Sequence, residues 1–408
     1  MEQLVNKFAN KLVQARLGQS SGPGQPLVGG LDDTLVWNRK ADETVVLEEV
    51  FKGLSINSLV FLRPAEPYGS LITFLARNAL NANGLIQPKD CETRTFLHDL
   101  PVISEFCADK IIAVLKKRKC VIIAPGKIND PAQGPAIIAH GTVSPEQGFV
   151  TISSVCFASF IKFFTDYLEA LEKGLAPFAA HHLFDAIWPY ATPIKKALPK
   201  FTPYPFSNEE TVYSAIIEAG LKTVEYGLVD SFFGNVSYCW NHTLYISQTG
   251  SSLDELSGCI DPVPLDSSTS AGLTASSELS AHLETISCTG SKAILHGHPK
   301  FCVILSMACD PVEKAACHFK EHCHTQCPKK RFIGLTPIVP GEVGTGPTGL
   351  CNTLPPALSQ SNSAIVYGHG LFTTGKNNFL DAFQTMVEVE DLCRKRYIDK
   401  VSELRKNL

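Results

Sequence analysis

Ala293-Ile-Leu-His296-Gly297-His298-Pro299 runs from an apolar strand into a histidine pair and halts at a proline. In an extended chain residues i and i+2 point to one face, so this strand end delivers two imidazoles together. A catalytic zinc takes three protein ligands and keeps one position open, which requires a third histidine from elsewhere. His369, in Tyr367-Gly368-His369-Gly370 after the apolar run Ala364-Ile-Val, is placed for it, and the flanking glycines permit a sharp turn there. The expected metal ligands are therefore His296, His298 and His369. A His-x-His pair alone is more often a surface or core feature, so the surrounding segments decide its meaning.

Working outward, the chain of 408 residues is 44% hydrophobic and 19% charged, enough material for two folded units. A formal net charge of −4 offers no basic footprint for nucleic acid or an anionic membrane, so neither is an expected partner. The opening MEQLVNKFANKLVQARL has polar breaks and no signal-peptide core, and no later segment reads as a membrane span. The 14 cysteines then read as reduced thiols, which points to the cytoplasm.

Met1 to Leu17 has helical spacing and Gly18 to Gly30 is a break rich in Gly, Ser and Pro. Short apolar runs such as Ser58 to Leu62, Ile111 to Lys117 and Cys120 to Ala124 then give a mixed α/β pattern over residues 1–175. Pro177, Pro189, Pro193, Pro199, Pro203 and Pro205 mark residues 176–206 as a linker. The second domain, 207–408, restarts with a helix over Asn208 to Tyr226 and a strand pair around Asn241-His242. A faint repeat joins the halves. Ala136-Ile-Ile-Ala-His140-Gly141 and its following helix mirror Ala364 to Gly370 and the helix from Phe379. Matching Pro67 to Pro299 sets Pro64 and Glu66 opposite His296 and His298.

Several further segments occur in one order: Gly234-Asn235-Val-Ser237, Ser247-Gln-Thr249-Gly250 with Leu253-Asp-Glu-Leu256, and Ser276-Ser277-Glu278 with His282. Pro337-Ile-Val-Pro340, the glycine-rich stretch to Gly349, Tyr367 to Gly370, and a helix holding Glu388 and Glu390 follow. Together they resemble the class II aldolases and the adducin head domain. The resemblance implies a three-layer α/β/α fold with a mainly antiparallel central sheet. With the repeat, it implies two related domains in tandem, the first a degenerate or supporting one. It implies Zn2+, or another divalent metal, on His296, His298 and His369. Asn235, Thr249, Gly250, Ser276 and Ser277 would hold a substrate phosphate, and Glu278 would be the catalytic acid and base.

The implied activity is that of a lyase making or breaking a C–C bond in a phosphorylated ketose or related sugar acid through a metal-stabilised enediolate. The same frame carries ketose-phosphate dehydratases and epimerases, and a non-catalytic, adducin-like interaction protein is the other alternative. Family members assemble in rings, so a homo-oligomer is expected, either a dimer of tandem-domain chains or a tetramer. The plain readings are turn chemistry for Asn235 and Thr249 and a solvated helix start for Glu278. Cys302, Cys309, Cys317-His318, His322-Cys323-His324, Cys327 and Cys351 leave open a second, structural metal site, against ordinary packing of small thiols.

Overall fold

The computed structural model describes residues 1–124, 126, 134–191, 197–229, 232–320, 322–342 and 344–406. The chain forms two compact units, Met1–Tyr167 with Ala176–Thr192, and Leu168–Leu175 with Pro193–Leu408. The stretch read as a linker is not all loop: Pro177 caps a helix over Phe178–Ile187, and Pro189 lies just past its end. Prolines at those two places bound a helix rather than prevent one.

In the first unit α1 (Glu2–Gln14) precedes β1 (Leu27–Leu31) and β2 (Leu35–Trp37), then α2 (Thr44–Gly53), β3 (Ser58–Leu62) and α3 (Tyr68–Leu80). β4 (Leu85–Ile86), β5 (Leu100–Ile103), α4 (Ala108–Leu115), β6 (Cys120–Ile123), β7 (Ala136–Gly141), α5 (Pro145–Glu172) and α6 (Phe178–Ile187) follow. The break expected over Gly18 to Gly30 thus ends inside β1. A side chain on Gly29 would meet the Trp37 ring at 2.6 Å, which is why glycine occupies a strand position there.

The second unit holds α7 (Glu209–Glu225), β8 (Asn235–Trp240), β9 (Thr243–Ser247), β10 (Ile260–Pro264), α8 (Leu279–Thr289), β11 (Ala293–Gly297) and α9 (Lys300–Met307). Next come α10 (Pro311–Ala316), β12 (Arg331–Ile333), β13 (Thr336–Val339), α11 (Leu350–Leu358), β14 (Ser363–Val366), β15 (Gly370–Gly375) and α12 (Phe379–Lys406). α7 starts on a capping box in which the Asn208 side chain accepts from the Thr211 N–H. β8 and β9 meet at Asn241-His242, both with positive φ as a two-residue hairpin requires.

The strand order is β2-β1-β3-β7-β6-β5-β4 in one sheet and β10-β9-β8-β11-β15-β14-β13-β12 in the other. Neighbours run antiparallel except β5 with β6 and β13 with β14, one parallel pair in each sheet. The fold is therefore α/β with mainly antiparallel sheets, in agreement with the sequence expectation. In the second unit α8 and α11 cover one face, where Ala281, Leu350, Leu354 and Leu358 pack on Ile294, Ala364, Val366 and Phe372. α7, α9 and α12 contact the same sheet, completing three layers.

Two details correct or extend the sequence reading. α5 is, by length and composition, able to span a membrane, contrary to the expectation of no such segment. Its apolar window is 83% buried within the protein, the pattern of a core helix. The second concerns Glu390 on α12, whose carboxylate accepts the backbone N–H groups of Phe301 and Cys302 at 2.9 Å each. It thereby caps the start of α9, where the helix dipole favours negative charge.

Burial pushes this carboxyl up from 4.5 to about 7 despite those hydrogen bonds. The folded state then binds more protons than the unfolded chain between those values, so stability falls as pH rises through that window. Comparing wild type with Glu390→Gln by thermal unfolding at pH 5 and pH 8 should show the wild type losing ground at the higher pH, by at most about 3 kcal/mol. A pH-independent difference would contradict the assignment.

Candidate metal centre

β11 lies between β8 and β15 in the middle of its sheet, so its end is held from both sides. His296 stacks on the Phe372 ring of β15, centroids 3.9 Å apart and planes at 10°. Its Nδ1 donates to the Leu371 carbonyl at 3.2 Å, which leaves Nε2 as a bare lone pair facing inward. His298 follows one residue beyond the strand, and its Nε2 sits 3.2 Å from that of His296. His369 enters from the turn before β15, where its N–H bonds to Val366 O and the Gly368 N–H bonds to Ser306 Oγ.

The three imidazoles are buried, with ligand atoms all within 4.8 Å of one another. Burial lowers His296 to about 3 and His298 well below its ordinary value, so both present neutral nitrogens at physiological pH. The 3.2 Å separation suits a hydrogen bond from a His298 Nε2–H to His296 Nε2, and once that proton is given up the three converging imidazoles offer the kind of donor set that zinc takes. Among the described residues no second group of this kind occurs. Among the described residues the Cys/His stretch after His298 forms no group of converging ligands, with Cys302 buried and Cys309, Cys317, Cys323, Cys327 and Cys351 partly exposed.

Gly370 sets the backbone's closeness here. A Cβ on it would lie 2.4 Å from Gly297 O and 2.8 Å from both the His296 and His298 rings. Gly370→Ala should therefore displace the ligands, costing about 1–3 kcal/mol of stability. Its metal content, measured against wild type after equal dialysis, should drop.

Glu278 stands at the start of α8 with Oε2 3.6 Å from His296 Nε2 and Oε1 3.7 Å from His369 Nε2. It is buried, and burial raises its carboxyl against the opposing effects of His369 and Asn235. A relay orients it: Asn235 Nδ2 donates to Glu278 Oε2 at 2.7 Å, and Asn235 Oδ1 accepts from His282 Nε2 at 2.6 Å. Ser237 Oγ then bonds His282 Nδ1 at 2.7 Å. Burial holds His282 neutral, at about 3, so one tautomer satisfies every partner. The roles of Ser237 and His282 went unread in the sequence. The signal was there: Asn235 and Ser237 are i, i+2 on one strand, and Glu278 and His282 are i, i+4 on α8.

Of the residues expected at a phosphate, Ser276 is buried, while Thr249, Gly250 and Ser277 are exposed. Their two loops adjoin, since the Thr249 N–H bonds Thr274 O and the Ser276 N–H bonds Ser247 O. Thr249 Oγ1 is engaged with Ala275 O at 2.9 Å. Asn235 is on the Glu278 side of this cluster, its amide committed to that carboxylate.

Residues 214–397 match the family described as "Class II Aldolase and Adducin N-terminal domain". The second unit belongs to that family. Solved structures similar to the chain include L-fuculose-1-phosphate aldolase from Thermus thermophilus, 20% identical with TM-score 0.38 over 47% of this chain and 95% of that one. A sugar-phosphate aldolase from Thermotoga maritima is 15% identical, TM-score 0.34, over 47% and 95%. The N-terminal class II aldolase domain of a Thermoplasma acidophilum protein is 12% identical, TM-score 0.34, over 48% and 97%. No curated protein matches the chain. The family match, and not these distant likenesses, carries the assignment to the aldolase/adducin family.

Proposed function

We propose that the aldolase/adducin unit is a divalent-metal-dependent lyase, zinc being the metal best suited to its ligands, which cleaves or forms a C–C bond in a phosphorylated ketose or related sugar acid. The observation that carries this reading is the convergence of His296, His298 and His369 with Glu278 facing two of them. A protein working only through partners has no use for a carboxylate oriented by a buried relay beside three metal-ligating imidazoles.

A bound divalent ion would supply the positive charge that stabilises the electron pair left on the carbon next to a carbonyl when its C–C bond breaks. Glu278 would hold and return the proton at that carbon, from the oxygen not bonded to Asn235. Asn235, kept in one orientation by His282, fixes where that oxygen points. With the Thr249 N–H and hydroxyl and the Ser276 N–H engaged within the loops, the Gly250 N–H and the Ser276 and Ser277 hydroxyls would hold the substrate phosphate, as an uncharged anion cradle does. That remote grip positions the reacting carbon.

The test is cleavage of a panel of ketose 1-phosphates by the full chain before and after chelation, with zinc added back. Activity that disappears with EDTA and returns with zinc supports the lyase. A zinc-loaded protein inert on the whole panel, with the substrates also failing to exchange their α-protons with solvent, would sink it. A dehydratase or epimerase would reveal itself in the same assay through exchange without cleavage. We place the enzyme in the cytoplasm as a homo-oligomer; sedimentation as a single chain would contradict the latter.

A further inference from the structure

The two sheets match strand for strand. Leu27↔Phe61, Phe61↔Ile138 and Val121↔Ile138 in the first have the same pairing as Asn235↔His296, His296↔Phe372 and Ala364↔Phe372 in the second. Val102↔Ile122 and Ile338↔Ile365 align the parallel pairs, and Leu85↔Pro101 with Phe332↔Pro337 align the edges. β10 alone has no counterpart. Even the buried faces agree, since Leu59, Phe61, Val121 and Ile138 pack beneath α2 and α4 as Ile294, Ala364 and Phe372 pack beneath α8 and α11.

This register places Phe61 at the position of His296 and Arg63, one residue past the strand, at that of His298. Pro135, just before β7, takes the place of His369, and Glu43, just before α2, takes that of Glu278. The offset read from sequence, with Pro64 and Glu66 opposite the histidines, is corrected. So is the match of Ala136–Gly141 to Ala364–Gly370, because β7 corresponds to β15. Pro67 and Pro299 do both cap the next helix, but the loop before Pro67 is longer, and strand pairing rather than loop matching fixes register.

None of Phe61, Arg63 and Pro135 can ligate a metal. The Arg63 guanidinium lies 5.3 Å from the Phe61 ring centre, donates to Gly134 O at 3.0 Å and pairs with Glu43 at 3.4 Å. The carboxylate kept its place, and a cation carried by the chain itself now faces it. Beside Arg63 opens a cavity of about 810 Å³, lined also by Arg77, Glu66, Ser70, Asn78 and Gln19. Its volume suits a small metabolite. Arg77 is exposed to it, and among the described residues no carboxylate pairs with Arg77. Glu66, which accepts from Ser70 Oγ at 2.8 Å, together with Asn78 and Gln19 supplies partners for hydroxyl groups rather than for a second anion.

We propose that the first unit is a metal-free copy of the same fold, with Arg63 standing where a metal ligand stands in the second, and that its cavity binds a small polyhydroxylated anion, a sugar acid or sugar phosphate, through Arg77. Planar guanidinium groups hold carboxylate and phosphate alike by paired N–H donors, so the anionic group is of either kind.

The experiment is calorimetric titration of the full chain with gluconate and with glucose 6-phosphate, in wild type, His296→Ala and Arg77→Ala, each with and without EDTA. Binding of one or both probes that survives EDTA and His296→Ala, and weakens about tenfold or more in Arg77→Ala, supports the site; which probe binds identifies the anion. Arg77 is exposed, so the folded state should tolerate its loss, and an unchanged unfolding temperature verifies that. No binding of either probe, binding indifferent to Arg77→Ala, or two metal ions per chain would overturn the proposal. None of these readouts depends on lyase activity, so the second unit's function stands or falls separately.

Discussion

Replacing His296 with alanine is expected to strip the metal from the purified protein and to lower lyase activity by about three orders of magnitude. His296 is the best-held of the three proposed ligands: its Nε2 lies 3.2 Å from that of His298, its ring stacks on Phe372, and its Nδ1 donates to Leu371 O. Two remaining imidazoles do not make a catalytic zinc site, which takes three protein ligands. Elemental analysis beside the wild type gives the decisive reading, about one ion per chain falling to none. A variant that retains its ion would move the metal elsewhere, with the cysteines between Cys302 and Cys351 the first place to look.

Glu278→Gln is expected to separate chemistry from metal binding. The amide is isosteric and can still accept from Asn235, so the fold and the metal content should hold while kcat falls by about 100-fold to 10,000-fold. KM should move far less, because the loops proposed to hold the phosphate are untouched. Exchange of the substrate's α-proton with solvent, followed by NMR, should fade in step with kcat. Should exchange persist at the wild-type rate, another group moves the proton and Glu278 serves only to balance charge beside the imidazoles. Asn235→Ala should give a smaller loss, since it frees the carboxylate to rotate without removing it.

Much of this centre was readable in the chain because it is local in pattern. His296 and His298 share one face by the two-residue period of a strand, while the meaning of the pair, with His369 as its third member, rests on the resemblance carried by the surrounding segments. The mainly antiparallel α/β fold is what the family resemblance, carried by the order of motifs after residue 234, implies. What escaped was whatever depends on partners distant in sequence. The Asn235–Glu278 bond joins two elements whose contact no spacing rule predicts, and His282 gains meaning only from it. The repeat was visible, but in the wrong register, because prolines in loops of unequal length outweighed strands whose apolar residues look alike. The membrane-length apolar run in α5 is masked in the sequence by interspersed polar residues such as Ser153, Ser154 and Ser159, which interrupt it while its mean hydropathy stays high.

The ligands arrive from two places in the chain, with everything from α9 through β14 lying between His298 and His369. An ion held by both ends closes that whole segment into a loop, as a reversible crosslink would, and the unfolded chain has no preformed site to compete for it. Folding and metal capture are then one linked equilibrium. If zinc is the ion captured there, an unfolding temperature would read the free zinc in the buffer as well as the strength of the fold, each tenfold rise in zinc above the dissociation constant adding about 1.4 kcal/mol to the folded state.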